Sequence, residues 1–275
     1  MESVEQIILR HSKRGMNILK DFLPENYCTL AAKNILSWKK GNIFLATGFF
    51  VAGFAETDGP AGTVFLAKML KKCGFTPVIL TDEYCRNFFE EEKIETIYVP
   101  FEIEKNYFST LVEKYSPVGI ISCERCGINS KNDYANMRNL SIKEKTSPID
   151  KLFIDFYGKL PSVGIGDGGN EIGMGNLQNQ ISEKLSLVPC TVKTDFLVIA
   201  TVSNWGAYAL AAEISKISGI SLFDEYDFLF IAKFIKKTVE IGSVDGVTKE
   251  KSISVDGFPF EVEKEIFEAL KRYSA

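Results

Sequence analysis

Short, nearly unbroken apolar runs recur along the chain, and between them apolar side chains return every three or four positions. The runs at Asn42–Thr47, Thr76–Thr81, 96–100, Gly119–Cys123, Ser162–Gly166 and 196–201 predict strands, since short apolar runs bounded by turn formers suit strands buried on both faces. The intervening spacing predicts helices over Pro60–Lys72 (Phe65, Leu66, Met69 and Leu70 inward), up to about Glu91, and over Tyr107–Tyr115, 152–157 and 205–217. A last helix gathers Val262, Ile266, Ala269 and Tyr273 on one face. Near the start, Val4, Ile7, Ile8, Ile18, Leu19 and Phe22 form one helical stripe that includes His11 and Gly15, which predicts a helix within 1–23 docked on the body.

Apolar strands alternating with helices indicate a mostly parallel sheet covered on both faces, an α/β three-layer fold of the Rossmann-like kind. No internal repeat or Pro/Gly/Ser linker divides the 275 residues, so a single domain with insertions is expected. Residues 128–150, polar and rich in Lys, Asn and Ser, are the candidate excursion over a site.

Composition narrows the function classes. A hydrophobic fraction of 45% with 25% charged residues describes an ordinary globular protein, and the net charge of −4 with no basic stripe argues against nucleic acid. The most apolar stretch, 43–55, is broken by Thr47, Gly48 and Gly53 and is shorter than a spanning helix requires, so no membrane segment is expected. Early Glu2 and Glu5 fit neither a secretory signal nor an acid-poor transit peptide. Six scattered cysteines suit a reducing cytoplasm better than a disulfide framework. Self-association is left open.

Candidate chemistry follows the strands. Asn42–Thr47 runs into Gly48 and then Glu56-Thr57-Asp58-Gly59; Gly119–Cys123 runs into Glu-Arg125-Cys-Gly; Ser162–Gly166 runs into Asp167-Gly168-Gly169-Asn170-Glu171; and 196–201 runs into Ser203-Asn204. In open α/β sheets ligands bind beyond the carboxyl ends of the strands, although turns and helix caps call for the same residue types. Gly164, Gly166 and Gly169 match G-x-G-x-x-G, but Asp167 and Glu171 would repel a pyrophosphate there. Two acids on a glycine-rich loop suit general acid/base chemistry, an ammonium group or a hard cation, with a helix-start acid as the alternative for Glu171. The start of the Pro60 helix, with Thr57, is a candidate carboxylate cradle, and Asp58 equally reads as its cap. Arg125 and Arg138 are candidate forks for a carboxylate or members of structural ion pairs. Asn204 reads as an N-cap or a substrate hydrogen-bonder, and Asp245 and Thr248 as turn or pocket groups. Cys123 and Cys126 form C-x-x-C, yet with one histidine in the chain a structural zinc site is not expected. His11, on the N-terminal stripe, reads as a packing residue.

With those residues in view, the chain resembles the D-glutamate cyclase family. The resemblance rests on GIGDGGNEIGMG (164–175), with TGF (47–49), ETDGPAG (56–62), NMR (136–138), SNWGAYAL (203–210) and VDGVT (244–248) in order. It spans roughly 40–250, and one departure is Cys126, where a proline is expected after Glu-Arg. The resemblance implies reversible dehydration of D-glutamate to 5-oxo-D-proline, a small amino-acid substrate and no cofactor. On that basis Asp167 or Glu171 is expected to act as base toward the ammonium and acid toward the leaving oxygen. Arg125 or Arg138 would pair with a substrate carboxylate, and Thr47, Gly48, Glu56, Thr57, Asp58, Gly59, Gly168, Gly169, Asn170, Ser203, Asn204, Asp245 and Thr248 would line the pocket. Two other readings remain. One is a metal enzyme using Asp167, Glu171, Glu56 and Asp58 as oxygen ligands; the other is a non-catalytic amino-acid or nucleotide sensor.

Overall fold

The computed structural model describes residues 2–275. In chain order the elements are α1 (Val4–Ile8), α2 (Met16–Leu19), α3 (Tyr27–Ser37), β1 (Asn42–Thr47), β2 (Phe50–Val51), β3 (Phe54–Ala55), α4 (Pro60–Lys72), β4 (Thr76–Thr81), β5 (Glu95–Tyr98), α5 (Tyr107–Tyr115), β6 (Gly119–Cys123), α6 (Asp150–Asp155), β7 (Ser162–Gly166), α7 (Gln178–Lys184), β8 (Phe196–Ile199), α8 (Ser203–Ser218), α9 (Phe228–Ile241) and α10 (Phe260–Ser274). Six strands form one parallel sheet in the order β5-β4-β1-β6-β7-β8, while β2 and β3 make a small separate hairpin. Counted along the chain, that sheet order is the doubly wound, Rossmann-like 3-2-1-4-5-6, and its switch point lies between β1 and β6. Strands β1, β6 and β7 are buried almost end to end, which is why they read as continuous apolar runs rather than alternating ones.

One helical layer is held to its neighbours by aromatic packing. Phe65 of α4 meets Tyr208 of α8, Phe223 and Phe267 of α10 with ring centroids 5.0 to 5.5 Å apart. Burying each ring contributes a few kcal/mol by area alone. Helices α4 and α8 cross so closely that a Cβ on Gly62 would lie 2.8 Å from the Ala207 Cβ and from the Asn204 Cα. That contact brings the N-termini of both helices to the switch point.

The N-terminal segment differs from the single helix its stripe predicts. Helix α1 ends at Ile8, His11 takes φ 59°, and Gly15 takes φ 87° before α2. Of the predicted stripe, Val4, Ile7, Ile8 and Leu19 are buried, while Ile18 and Phe22 are exposed, because two short helices with a bend between them replace one continuous helix. His11 is exposed beside Glu265 rather than packed in a core. The segment 83–92 forms two 3-10 turns in place of a continuous helix. Helices α3, α7 and α9 and the β2–β3 hairpin have no counterpart among the predicted elements. No described helix is long and apolar enough to cross a membrane.

Candidate active site

The end of β7 supplies the centre of a buried acid cluster. Asp167 is 1% exposed, and its carboxylate lies within 4.8 Å of the ligand oxygens of Asp58 and Asp256 on one side, and of Glu124 and Glu171 on the other. Glu56 is buried next to this group. The acids come from the β3–α4 connection, the end of β6, the glycine-rich loop after β7, and the loop before α10.

Helix packing fixes two of the backbone anchors. Asp58 accepts from the Ser203 and Asn204 amides at 2.8 and 2.7 Å, so it caps α8. Asn204 reciprocates: its Oδ1 accepts from the Gly59 and Gly62 amides at 3.0 and 2.7 Å, capping α4. Each helix is therefore started by a side chain from the other, which satisfies N–H groups that no intrahelical carbonyl can reach. The Gly59 and Gly62 amides of the proposed carboxylate cradle are thus occupied, and Asp58 caps α8 while also accepting from the Gly59 amide at 2.8 Å. Thr57 spends its hydroxyl on the Ser254 carbonyl at 2.8 Å.

Glu171 turns back on its own loop. Its Oε1 accepts from the Asp167 and Gly168 amides at 3.2 and 2.6 Å, and its Oε2 accepts from the Gly169 amide at 2.7 Å. Glycines allow the backbone to wrap around that carboxylate, and Gly169 takes φ 111°. The Asn170 side chain donates to the Ala135 carbonyl at 2.9 Å, tying this loop to the 124–149 connection.

Arg125 is 1% exposed and reaches no open space. Its Nη1 donates to the Gly48 carbonyl and to Asp82 Oδ2 at 2.7 and 2.6 Å, and its Nη2 donates to the Ser147 carbonyl at 2.7 Å. This guanidinium joins the ends of β1, β4 and β6, the ion-pair alternative of the two read from sequence. Arg138 lies exposed on the 124–149 connection, and Thr248 is exposed with its amide on Asp245 Oδ1 at 2.7 Å. Asp245 organises the loop that carries Asp256, accepting from the Ser254 hydroxyl and the Gly257 amide at 2.7 and 2.8 Å. Thr47 is fully buried at the switch point with its hydroxyl unpartnered. Cys123 and Cys126 are both buried free thiols.

Three participants were not among the candidate residues named from the sequence. Glu124, at the end of β6 with φ 47°, accepts from the Ser203 hydroxyl at 2.6 Å. Asp256 adopts φ 54° in the turn before α10. Arg14, from the bend between α1 and α2, donates through Nη2 to Asp167 at 2.5 Å, to Asp256, and to the Thr201 carbonyl at 3.1 Å.

The electrostatics follow from this crowding. Burial raises the proton affinity of Glu56, Glu124 and Asp167, and the neighbouring carboxylates raise it further, with Arg14 opposing the rise at Asp167. Asp58 is pushed up to about 7 by burial and by Asp256, despite the amide bonds that favour its charged form. Burial disfavours the charge on Arg14, but Asp167 and Asp256 outweigh it and hold the guanidinium firmly protonated. Carboxyl groups whose proton affinities burial and crowding raise to different extents thus stand side by side, as proton transfer in both directions requires. A groove of about 870 Å³ between the N-terminal helices and Tyr273 brings together no comparable constellation.

Residues 4–271 match the family described as D-glutamate cyclase-like, C-terminal. The human protein named "D-glutamate cyclase, mitochondrial" is 30% identical over 194 residues, covering 62% of this chain. This chain spans only 31% of that relative's length. Among solved structures, a variant of actinorhodin polyketide ketoreductase with NADPH is similar at 14% identity, with 86% of this chain and 90% of that chain covered and a TM-score of 0.32.

Proposed function

The chain belongs to the D-glutamate cyclase-like C-terminal family, and on that premise we propose that it is a hydro-lyase interconverting D-glutamate and 5-oxo-D-proline. The observation that carries this reading is the placement of Asp167 at the junction of two carboxylate triplets, beside the Arg14 guanidinium. In the forward direction the α-nitrogen attacks the γ-carboxyl carbon, an N–C bond forms, and a C–O bond breaks. Two protons leave nitrogen, and both end on the departing oxygen as water. The reaction thus needs a relay of protons between two points of one small molecule, and a cluster of carboxyls with different proton affinities provides it.

Asp167 takes a proton from the ammonium, and Glu124, whose proton affinity burial and the neighbouring carboxylates raise, supplies one to the leaving oxygen. The site's negative charge attracts the ammonium and would repel a nucleotide pyrophosphate, which disfavours the nucleotide-sensor alternative. Holding the extended substrate folded contributes rate through proximity. Glu171 acts here as the brace of the loop, because its carboxylate is spent on three backbone amides.

The two triplets also favour a second reading. Their donors are all carboxylate oxygens, which fit a hard cation such as Mg²⁺ or Mn²⁺, with Asp58, Asp167 and Asp256 holding it. Such an ion would supply Lewis-acid polarisation of the γ-carboxyl.

NMR of purified protein with D-glutamate, and separately L-glutamate, tests both readings. Formation of 5-oxoproline from the D-isomer alone, with turnover lowered by about 10²-fold or more in Asp167→Asn, is expected from loss of a proton-transfer group. Undiminished turnover in that folded variant refutes the assignment of Asp167. Activity abolished by a chelator and restored by metal selects the second reading.

A further inference from the structure

We propose that Arg14 is the recognition group for the substrate's α-carboxylate, so that the site selects zwitterionic α-amino acids. This rests on the reading above, in which the acid cluster receives the α-ammonium. The strong contacts of Arg14 all fall on one nitrogen: Nη2 meets Asp167, Asp256 and the Thr201 carbonyl. Its Nη1 meets only the Met137 thioether sulfur, at 3.4 Å. A thioether is a weak acceptor, and a guanidinium presents a planar fork suited to a carboxylate. The outer half of that fork is therefore held by the feeblest acceptor in its surroundings.

The side chains grow more exposed from Asp167 through Arg14 to Met137. The Asp167 side chain is 2% exposed and that of Arg14 is 22% exposed, while Met137 is 38% exposed. Met137 lies over the glycine-rich loop, where a Cβ on Gly168 would come within 3.0 Å of its sulfur. Its unbranched side chain can swing aside more readily than a stiff one. A carboxylate taking the sulfur's place would keep the Nη1 N–H groups satisfied with a far stronger partner.

The geometry suits an α-amino acid because its ammonium and carboxylate share one carbon. Arg14 and Asp167 share a direct 2.5 Å contact, so a guanidinium and a carboxylate stand side by side, as binding both ends of one α-amino acid requires. The arginine is positioned, not mobile at random. Thr201 receives its Nη2 and also binds the Ile8 and Arg10 carbonyls through its amide and hydroxyl, both at 2.9 Å. Gly15 abuts Leu185, where a Cβ would come within 2.3 Å of the side chain.

Calorimetry with D-glutamate and with its α-carboxamide, on the full chain and on Arg14→Lys and Arg14→Gln, tests the inference. The unaltered protein is expected to prefer D-glutamate by about tenfold or more, since a site built to bind a charged group penalises the analogue lacking it. Arg14→Lys keeps the positive charge facing Asp167 and Asp256 but loses the fork, and its preference is expected to fall below about threefold. Arg14→Gln should show no preference, and a melting scan of each variant establishes that it is folded. A full preference retained in folded Arg14→Lys overturns the inference, as does an unaltered protein that binds both ligands equally or neither. Lost preference in the variants without any 5-oxoproline formed by the unaltered protein would sustain Arg14 recognition while the cyclase reading fails. Turnover with an unchanged preference in Arg14→Lys would do the reverse.

Discussion

Replacing Glu171 by glutamine separates a loop brace from a catalytic acid. In the folded protein its two oxygens accept from three buried amides, those of Asp167, Gly168 and Gly169. Glutamine keeps the shape and one carbonyl oxygen. With that oxygen facing the Asp167 and Gly168 amides, two charge-assisted bonds become neutral ones, a loss of about 1 kcal/mol each. The new amide nitrogen then faces the Gly169 N–H, donor against donor, and an orphaned buried N–H costs about 1–3 kcal/mol. Removing one charge from a crowded acid cluster returns part of this, since Glu171 is among the neighbours that raise the proton affinity of Glu124. The net expectation is a loss of about 2–4 kcal/mol of folding stability. Urea unfolding followed by circular dichroism measures it, alongside turnover per folded molecule. The brace reading predicts the stability loss with a change in turnover below about tenfold at saturating substrate, a small effect beside removal of a proton-transfer group. Unchanged stability with turnover gone would return Glu171 to the chemistry and refute the reasoning.

Two further outcomes are accessible. Asn204→Ala removes the acceptor for two buried amides at the start of α4 and should cost about 2–4 kcal/mol of stability in urea unfolding, whereas a loss under about 0.5 kcal/mol would show that the cap is replaced, for instance by water. Glu263 is fully buried and pushed by burial from an ordinary 4.5 to about 8, while the Trp205 and Tyr208 donors oppose that rise. An acid raised in the folded state binds more protons there than when unfolded, so its contribution is present below about 4.5 and is lost as pH rises toward 8, with a ceiling of roughly 5 kcal/mol. Glu263→Gln should flatten that part of the stability profile between pH 5 and 8, and an unaltered slope would count against it.

Much of the sheet was legible because its strands are buried on both faces, so that apolar content alone marks them. Strand ends were less so: 196–201 reads as strand, but β8 ends at Ile199, Ala200 still donates to the Gly166 carbonyl of β7, and Thr201 turns to the Ile8 carbonyl of the N-terminal segment. Helix α9 carries a helical signal as well, since its buried Phe228, Ile231, Phe234, Ile235 and Thr238 recur at the helical period. The N-terminal helix was overextended because periodicity registers the buried stripe but not the positive φ of His11 and Gly15 that bends it. In the site, the glycine-rich loop after β7 and the acids near Asp58 were visible as strand-end segments. Arg125 was visible too, but the Asp82 that engages it follows β4 without any glycine to draw notice. Arg14 reaches the cluster only through folding. Asp256 did have a signal: Ser-Val-Asp-Gly occurs at 243–246 and again at 254–257. The first aspartate organises the loop, and the second enters the acid cluster.

The bond from Arg14 to Asp256 joins residues 242 positions apart, with the whole sheet in between. During synthesis from the N-terminus, Arg14 emerges early, and the acids of β3, β6 and β7 follow before the turn that bears Asp256. A nascent chain carrying all six strands still lacks one wall of its acid pocket. The clasp between these two segments closes only once the turn bearing Asp256 has been made, so a ribosome stalled before that turn holds a chain whose acid pocket is unsealed. Limited proteolysis of such stalled chains would find the 12–15 bend cuttable until the last turn is released.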